Sequence, residues 1–291
     1  MAERALIWPG LWLALFCWGA GAACAAGLPK VASVSLCGDQ YLMMLADPKQ
    51  VASLSHQSLS PLSYFSKQAA SIPQNRGSVE ELILSDVELV VLNAYGDTQL
   101  KRILRKFGID YFELPLGETI GDVEETVIAL SQKLGREAEG HRLVGRMKKR
   151  VEAVSRSAQG GAQPVALYFR SDGGGAGAGT FVDDAIRAAG FRNLQRDLGK
   201  KGWGTLPLEQ AVMTPPDVFV TSFFDTPYQS VRGLFRYNPV FWELAQKGTL
   251  VQVPGKLWPC SSPLLVNAVE FLARAHRETG SGDREMNRDG G

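Results

Sequence analysis

The 291 residues are enough for two domains of ordinary size, and a 45% hydrophobic content supplies two cores without needing disulfides. Lys plus Arg number 31 against 30 for Asp plus Glu, a net charge of +1, which gives no case for nucleic-acid binding, a role that usually demands a clearly basic domain or patch.

Residues 1–26 read as an export signal outside the fold. Arg4 makes a positive start, Ala5 to Gly19 is apolar and rich in Leu and Trp, and small residues run through Ala26. Pro9 and the Gly/Ala-rich second half argue against a membrane anchor, and no comparable apolar run occurs later. Cleavage near Ala26 and a periplasmic location are expected. Lipidation of Cys24 is the alternative, although Gly21-Ala22-Ala23 lacks the Leu that a lipoprotein signal places three residues ahead. Cleavage leaves Cys37 and Cys260 in a compartment where disulfides persist. They form one bridge between the two halves of the chain, or remain two buried thiols or a soft-metal pair.

A first α/β lobe is expected over 27–135. Val31 to Leu36 is a buried strand that breaks at Cys37-Gly38-Asp39, and a short helix follows, ended by Asp47-Pro48. Val51 to Leu54 is the next strand, and Ile72 to Gly77 reads as a turn. Ser78-Val79-Glu80-Glu81 has the spacing of a capping box, with Glu81 reaching back to Ser78. Strands at Leu89 to Leu92 and Tyr111 to Leu114 alternate with helices at Thr98 to Phe107 and Ile120 to Leu134.

Residues 136–158 then form a polar, Pro-free segment with Leu143, Met147, Val151 and Val154 at helical spacing. At about 1.5 Å per residue this is a rod of roughly 34 Å, long enough to span a small domain. A second α/β lobe, 159–278, has strands at Val165 to Phe169, Val218 to Thr221 and Leu250 to Val253. Helices are expected at Phe181 to Ala189, Pro207 to Val212, in pieces across Val231 to Gln246, and at Pro263 to Glu278. Residues 279–291 read as a disordered tail. The fold class is therefore α/β, with two Rossmann-like lobes of parallel sheet joined by one long rigid helix.

His56, His141 and His276 are scattered, so neither a zinc spacing nor a His-based triad can be drawn, and no Gly-x-Ser-x-Gly elbow or Walker loop is present. No resident cofactor or metal is expected. Gly173 to Gly179, between a strand and a helix, loosely fits a dinucleotide fingerprint, with Asp197 as the acidic partner to be sought. Five glycines in seven positions also suit a plain turn with close backbone approach. Ligands of open α/β sheets bind beyond the carboxyl ends of the strands. The loop residues suited to gripping a flat or chelated solute there are Cys37, Arg76, Tyr95, Trp203 and Trp258. The structural alternatives are a core plug for Trp203 or Trp258, a loop cap for Tyr95 and a solvated charge for Arg76. Glu80 and Glu209 lie near the starts of equivalent helices in the two lobes, where a carboxylate also complements the helix dipole.

Two lobes on one long helix, an export signal, Gly77 to Ile83 ahead of Val87 to Val91, and Trp203 with Leu208-Glu209-Gln210 ahead of Pro216 to Val220 resemble the periplasmic binding proteins for ferric siderophores and cobalamin. That resemblance implies a monomer that holds a small-molecule metal chelate in a shallow cleft. It delivers the chelate to an inner-membrane ABC permease and its ATPase without catalysing a reaction. A ferric siderophore is the first expected ligand, with a corrinoid or haem next. Trp203 stands where these proteins place a cleft tryptophan, Tyr95 resembles a tyrosine used against the chelate, and Arg76 falls close to an arginine that meets hydroxamate oxygens. Gln74 takes the place of the cobalamin binders' other stacking tryptophan. Glu80 and Glu209 resemble lobe-tip glutamates that dock on the membrane subunits. The rival expectations are an exported α/β enzyme holding a phosphate-bearing substrate on Gly173 to Gly179, and an assembly module with an empty cleft.

Overall fold

The computed structural model describes residues 27–158, 163–223 and 237–286; the proposed export signal lies outside them. Five parallel strands make the first sheet: β1 (Val31–Ser33), β2 (Val51–Ser55), β3 (Gln74–Asn75), β4 (Leu89–Leu92) and β5 (Asp110–Glu113), in the order β3-β2-β1-β4-β5. Around it stand α1 (Leu36–Leu45), α2 (Ser66–Ala69), α3 (Val79–Leu84), α4 (Thr98–Lys106) and α5 (Ile120–Lys133). Gly135, in the left-handed region at φ 65°, turns the chain out of α5 into α6 (Glu137–Ala158). The second lobe holds β6 (Val165–Arg170), β7 (Gly174–Ala176), α7 (Phe181–Ala188), β8 (Arg192–Asn193), α8 (Leu194–Asp197), β9 (Trp203–Thr205), α9 (Leu208–Met213), β10 (Val218–Ser222), α10 (Pro239–Ala245), β11 (Thr249–Val253) and α11 (Leu265–Met286). Its main sheet is parallel in the order β11-β10-β6-β8, and β7 and β9 form a separate antiparallel ribbon.

Strand alternation sorts side chains into three apolar clusters. Leu89 and Val91 of β4, with Ala166 and Tyr168 of β6 and Val218 and Val220 of β10, join one cluster that also takes Leu143, Met147 and Val154 from α6. The opposite face of the second sheet packs Leu167, Phe169 and Phe219 against Phe241. The opposite face of the first packs Ala32, Val90 and Leu92 against Leu82 and Leu104. α6 is thus seated on both lobes. Gly140 lets it approach α5 closely, since a Cβ there would lie 2.2 Å from Ser131 Oγ. Near its other end Arg150 grips Glu270 with two nitrogens, both at 2.7 Å, and Asn267 at 2.6 Å, all on α11.

The lobes repeat each other in detail. α3 with β4 and α9 with β10 are displaced by one constant interval of 129 residues (79 to 208, 84 to 213, 89 to 218). In both, the residue before the strand accepts a backbone N–H at the start of the neighbouring strand. Glu88 takes Lys30 N–H at 2.8 Å, and Asp217 takes Val165 N–H at 2.7 Å.

Several boundaries differ from the sequence reading. The first strand stops at Ser33 because Ser35 caps α1 by accepting from the Gly38 N–H, which puts Cys37 in the first turn of a helix. Glu81 reaches past Ser78 to the Arg76 N–H (2.8 Å), so only half of the expected capping box forms. The last helix continues to Met286, so residues 279–286, expected to be irregular, have helical backbone. Part of the helical stretch expected across Val231 to Gln246 falls outside the described residues.

Candidate functional site

In an open parallel sheet the ligand crevice forms where the strand order reverses, at the carboxyl ends of the two strands that flank the reversal. In the first sheet that place lies between β1 and β4, and in the second between β6 and β10. The two carboxyl edges are drawn together by a disulfide between Cys37, at the start of α1, and Cys260, beyond β11. Beside it Tyr41 donates its hydroxyl to the Ser261 carbonyl (3.0 Å), and Ser262 donates to Gln40 Oε1 (2.6 Å). The interval between the lobes is thereby closed at one side. Cys37 is thus bonded, the bridge being one of its expected states, and has no free thiol to offer a ligand.

Asp39 lies buried in the same helix turn. Its carboxylate accepts from the Ser55 N–H (2.8 Å) and hydroxyl (2.6 Å) at the carboxyl end of β2, but burial dominates and pushes its pKa up to about 6.

Beyond β4, Tyr95 sits at φ 59°, a conformation unusual for a bulky residue, and is 84% exposed. The turn carrying it is braced: Gly96 N–H bonds Asn93 O (2.9 Å) and the Glu113 carboxylate (3.2 Å), and Lys101 pairs with Glu113 at 2.9 Å. Lys101 holds the Glu113 carboxyl below its ordinary range. Arg76 is exposed beyond β3, and its guanidinium has no partner among the described residues.

Trp203 is half exposed, as a contact residue should be, but it stands on β9 rather than in a loop and has a packing partner, Phe181, edge-on at 5.2 Å. Trp258 is the clear correction. It is 2% exposed, packs edge-on against Tyr168 at 5.3 Å, and donates its indole N–H to Ser222 Oγ, so it fills the second lobe's core and presents no face to a ligand.

Four N–H groups of the Gly173 to Gly179 run are already used, which disfavours a phosphate cradle: Gly173 bonds Arg170 O, Gly174 bonds Asp172, Gly177 bonds Gly202 O and Ala178 bonds Lys200 O. The glycines serve close packing instead. A Cβ on Gly175 would meet the Gln195 amide at 2.4 Å, and one on Gly177 would meet Lys200 O at 2.5 Å. Glu80 and Glu209 are both exposed in the first turns of α3 and α9.

Sequence reasoning missed Arg170 and Phe223, which end β6 and follow β10. Phe223 takes φ 63°, and the Arg170 guanidinium lies 5.6 Å from its ring centre. The signal that could have found them is positional: each adjoins the carboxyl end of a strand flanking the reversal.

Two parallel sheets on one long helix, with their carboxyl edges turned toward each other, define a two-lobed binding protein. Residues 31–225 match the family described as periplasmic binding protein, and the chain belongs to that family. Its sequence is similar to a cobalamin-binding protein of Halobacterium salinarum, 31% identical over 148 residues, or 50% of this chain and 40% of that one. The chain thus matches less than half the length of that relative. The fold is similar to a periplasmic haem-binding protein, RhuT, of Roseiflexus sp. RS-1 (TM-score 0.67, 18% identity, covering 86% of this chain and 99% of that one). It is also similar to a protein of an ABC-type Fe3+-hydroxamate transport system from Saccharomonospora viridis (TM-score 0.64, 17% identity, covering 85% and 93%).

Proposed function

We propose that the protein is exported, captures a metal chelate between its lobes as a monomer, and hands it to an inner-membrane ABC permease driven by its ATPase, with no reaction catalysed. The observation that carries this reading is the pairing of two strand-order reversals across a covalent bond, each followed by an aromatic residue in left-handed backbone, Tyr95 and Phe223. Aromatic faces so presented suit a broad, partly apolar solute.

Among chelates a ferric siderophore comes first. A corrinoid sandwich is weakened because Gln74 is spent inside its own lobe, donating to Ala69 O and Ile72 O and accepting from Ser58. The curated relative's name keeps a corrinoid second, and haem follows. Glu80 and Glu209 are the proposed docking points, since the 129-residue repeat gives each lobe the same exposed carboxylate.

The test is a fluorescence titration of the purified mature protein with ferric siderophores, haemin and cyanocobalamin, alongside nucleotides. One chelate should quench tryptophan emission saturably and nucleotides should not. Saturable binding of a nucleotide alone would favour the enzyme reading, and no binding at all would favour an assembly module.

A further inference from the structure

The second lobe's reversal point carries an arginine whose hydrogen-bonding capacity is largely unused. Arg170 is the last residue of β6 and pairs in register with Ser222, the last of β10. Its position therefore flanks the crevice where an open sheet places its ligand. One face of the guanidinium is covered by the Phe223 ring. One edge is held by Asp172, whose Oδ2 lies 3.2 Å from Nη2 while its Oδ1 accepts the Gly174 N–H at 2.9 Å. The carboxylate is thus anchored to backbone and fixes the orientation of the arginine.

A guanidinium has five N–H donors. Beyond the Asp172 ion pair, those of Arg170 have no partner among the described residues, and Nε is buried without one. Leaving a buried donor unpaired costs stability, so Arg170 is not at this place for the hydrogen bonds the fold itself offers. The side chain is 42% exposed, so the free part of the fork can be reached. A planar fork already held at one edge and stacked on a ring is pre-organised for an anionic oxygen pair, which it grips more strongly than a neutral amide.

We propose that Arg170 is the second lobe's chelate-gripping residue and that the chelate carries anionic oxygens, a carboxylate or the deprotonated oxygens of a siderophore, rather than the neutral amide rim of a corrinoid. The assignment rests on the chelate-binding reading above and names the ligand class for that site. A purely structural Arg170 would tie Asp172 to the end of the sheet and leave affinity unchanged when replaced.

The experiment titrates the purified mature protein and its Arg170→Gln and Arg170→Lys variants with a ferric tris-catecholate, haemin, haemin dimethyl ester and cyanocobalamin. An anionic probe should bind the parent protein most tightly. Arg170→Gln should weaken it by about tenfold or more, with Arg170→Lys recovering part of the loss and both melting within about 3 °C of the parent. Loss of binding on esterifying haemin identifies carboxylates as the anionic source, and preference for the catecholate identifies siderophore oxygens. Cyanocobalamin binding alone, or an anionic probe bound equally by parent and Gln variant, overturns the Arg170 assignment and leaves the chelate reading intact. No saturable binding by any of the four overturns both. Should the Gln variant fail to fold, the Lys variant still decides, since it keeps the charge but loses the fork: weaker binding of the anionic probe supports the assignment and unchanged binding overturns it.

Discussion

Cys37 and Cys260, 223 residues apart, bond the first turn of α1 in one lobe to the segment beyond β11 in the other. The bond ties together the carboxyl edges of both sheets, and the Tyr41 and Gln40 hydrogen bonds beside it hold the same two segments in register. Denatured, unreduced mature protein should therefore titrate with no free thiol. Replacing both cysteines by serine should cost about 2 to 4 kcal/mol in chemical unfolding, the usual range for removing a native bridge. Two titratable thiols in the unreduced protein would show that the bridge does not form.

Asp39 makes stability depend on pH in a direction opposite to that of a salt-bridged carboxylate. Its folded pKa of about 6 exceeds the unfolded value of roughly 3.9. Between about pH 4 and 6 the folded state therefore binds more protons, and this site's contribution to stability falls as pH rises through that window. Asp39→Asn should stabilise the protein at pH 7.5 by on the order of 2 kcal/mol and leave it nearly unchanged at pH 4. Parallel stability–pH curves for the two proteins would refute the assignment.

The two tryptophans singled out from loop context should now separate cleanly. Trp203→Ala should weaken ligand binding by about 1 to 3 kcal/mol with at most a small loss of melting temperature, because half of the side chain already faces solvent. Trp258→Ala should cost about 3 to 5 kcal/mol of folding stability by emptying the space beside Tyr168. A Trp203 variant with intact affinity and lowered stability would make that residue a plug as well.

Reversing the charge of Glu80 and Glu209 together should abolish uptake in cells while affinity of the purified protein changes by less than about threefold, under 1 kcal/mol. Two separated charges on one stiff body favour a single docking orientation. Normal uptake by the double variant, or equal loss of binding and transport, would remove these residues from the interface.

The sheets and the helix between the lobes were legible because their signals are long. Leu89 to Leu92 and Val218 to Val220 are continuous apolar runs, and Leu143, Met147 and Val154 keep helical spacing. β3 and β8 were not: each has two residues, too few for alternation to show, and each ends on a buried asparagine. Asn75 reaches Ser33 O and Ser53, and Asn193 reaches Ala176 O and Asp183. The β7–β9 ribbon was hidden because its strands are three residues each and half glycine, whose lack of a side chain removes the alternation that marks a strand. At the site, Tyr95 and Trp203 stood out by residue type, whereas Trp258 could not be assigned to core or crevice until its indole N–H found Ser222. Arg170 was unremarkable until strand order located the reversal.

One apolar cluster runs from β1 and β4 through α6 to β6, β10 and α11, so the boundary between lobes in the chain is not a boundary between hydrophobic interiors. Neither half has a complete interior when the other is removed, for α6 would then expose Leu143, Met147 and Val154. Melting should accordingly appear in the calorimeter as one endotherm whose van't Hoff and calorimetric enthalpies agree, even though the molecule has two sheets. Expressing 27–158 or 137–286 alone should yield chains that aggregate rather than two independently folded halves, which makes the molecule a poor candidate for splitting into reporter fragments and a good one for insertion at exposed loop tips.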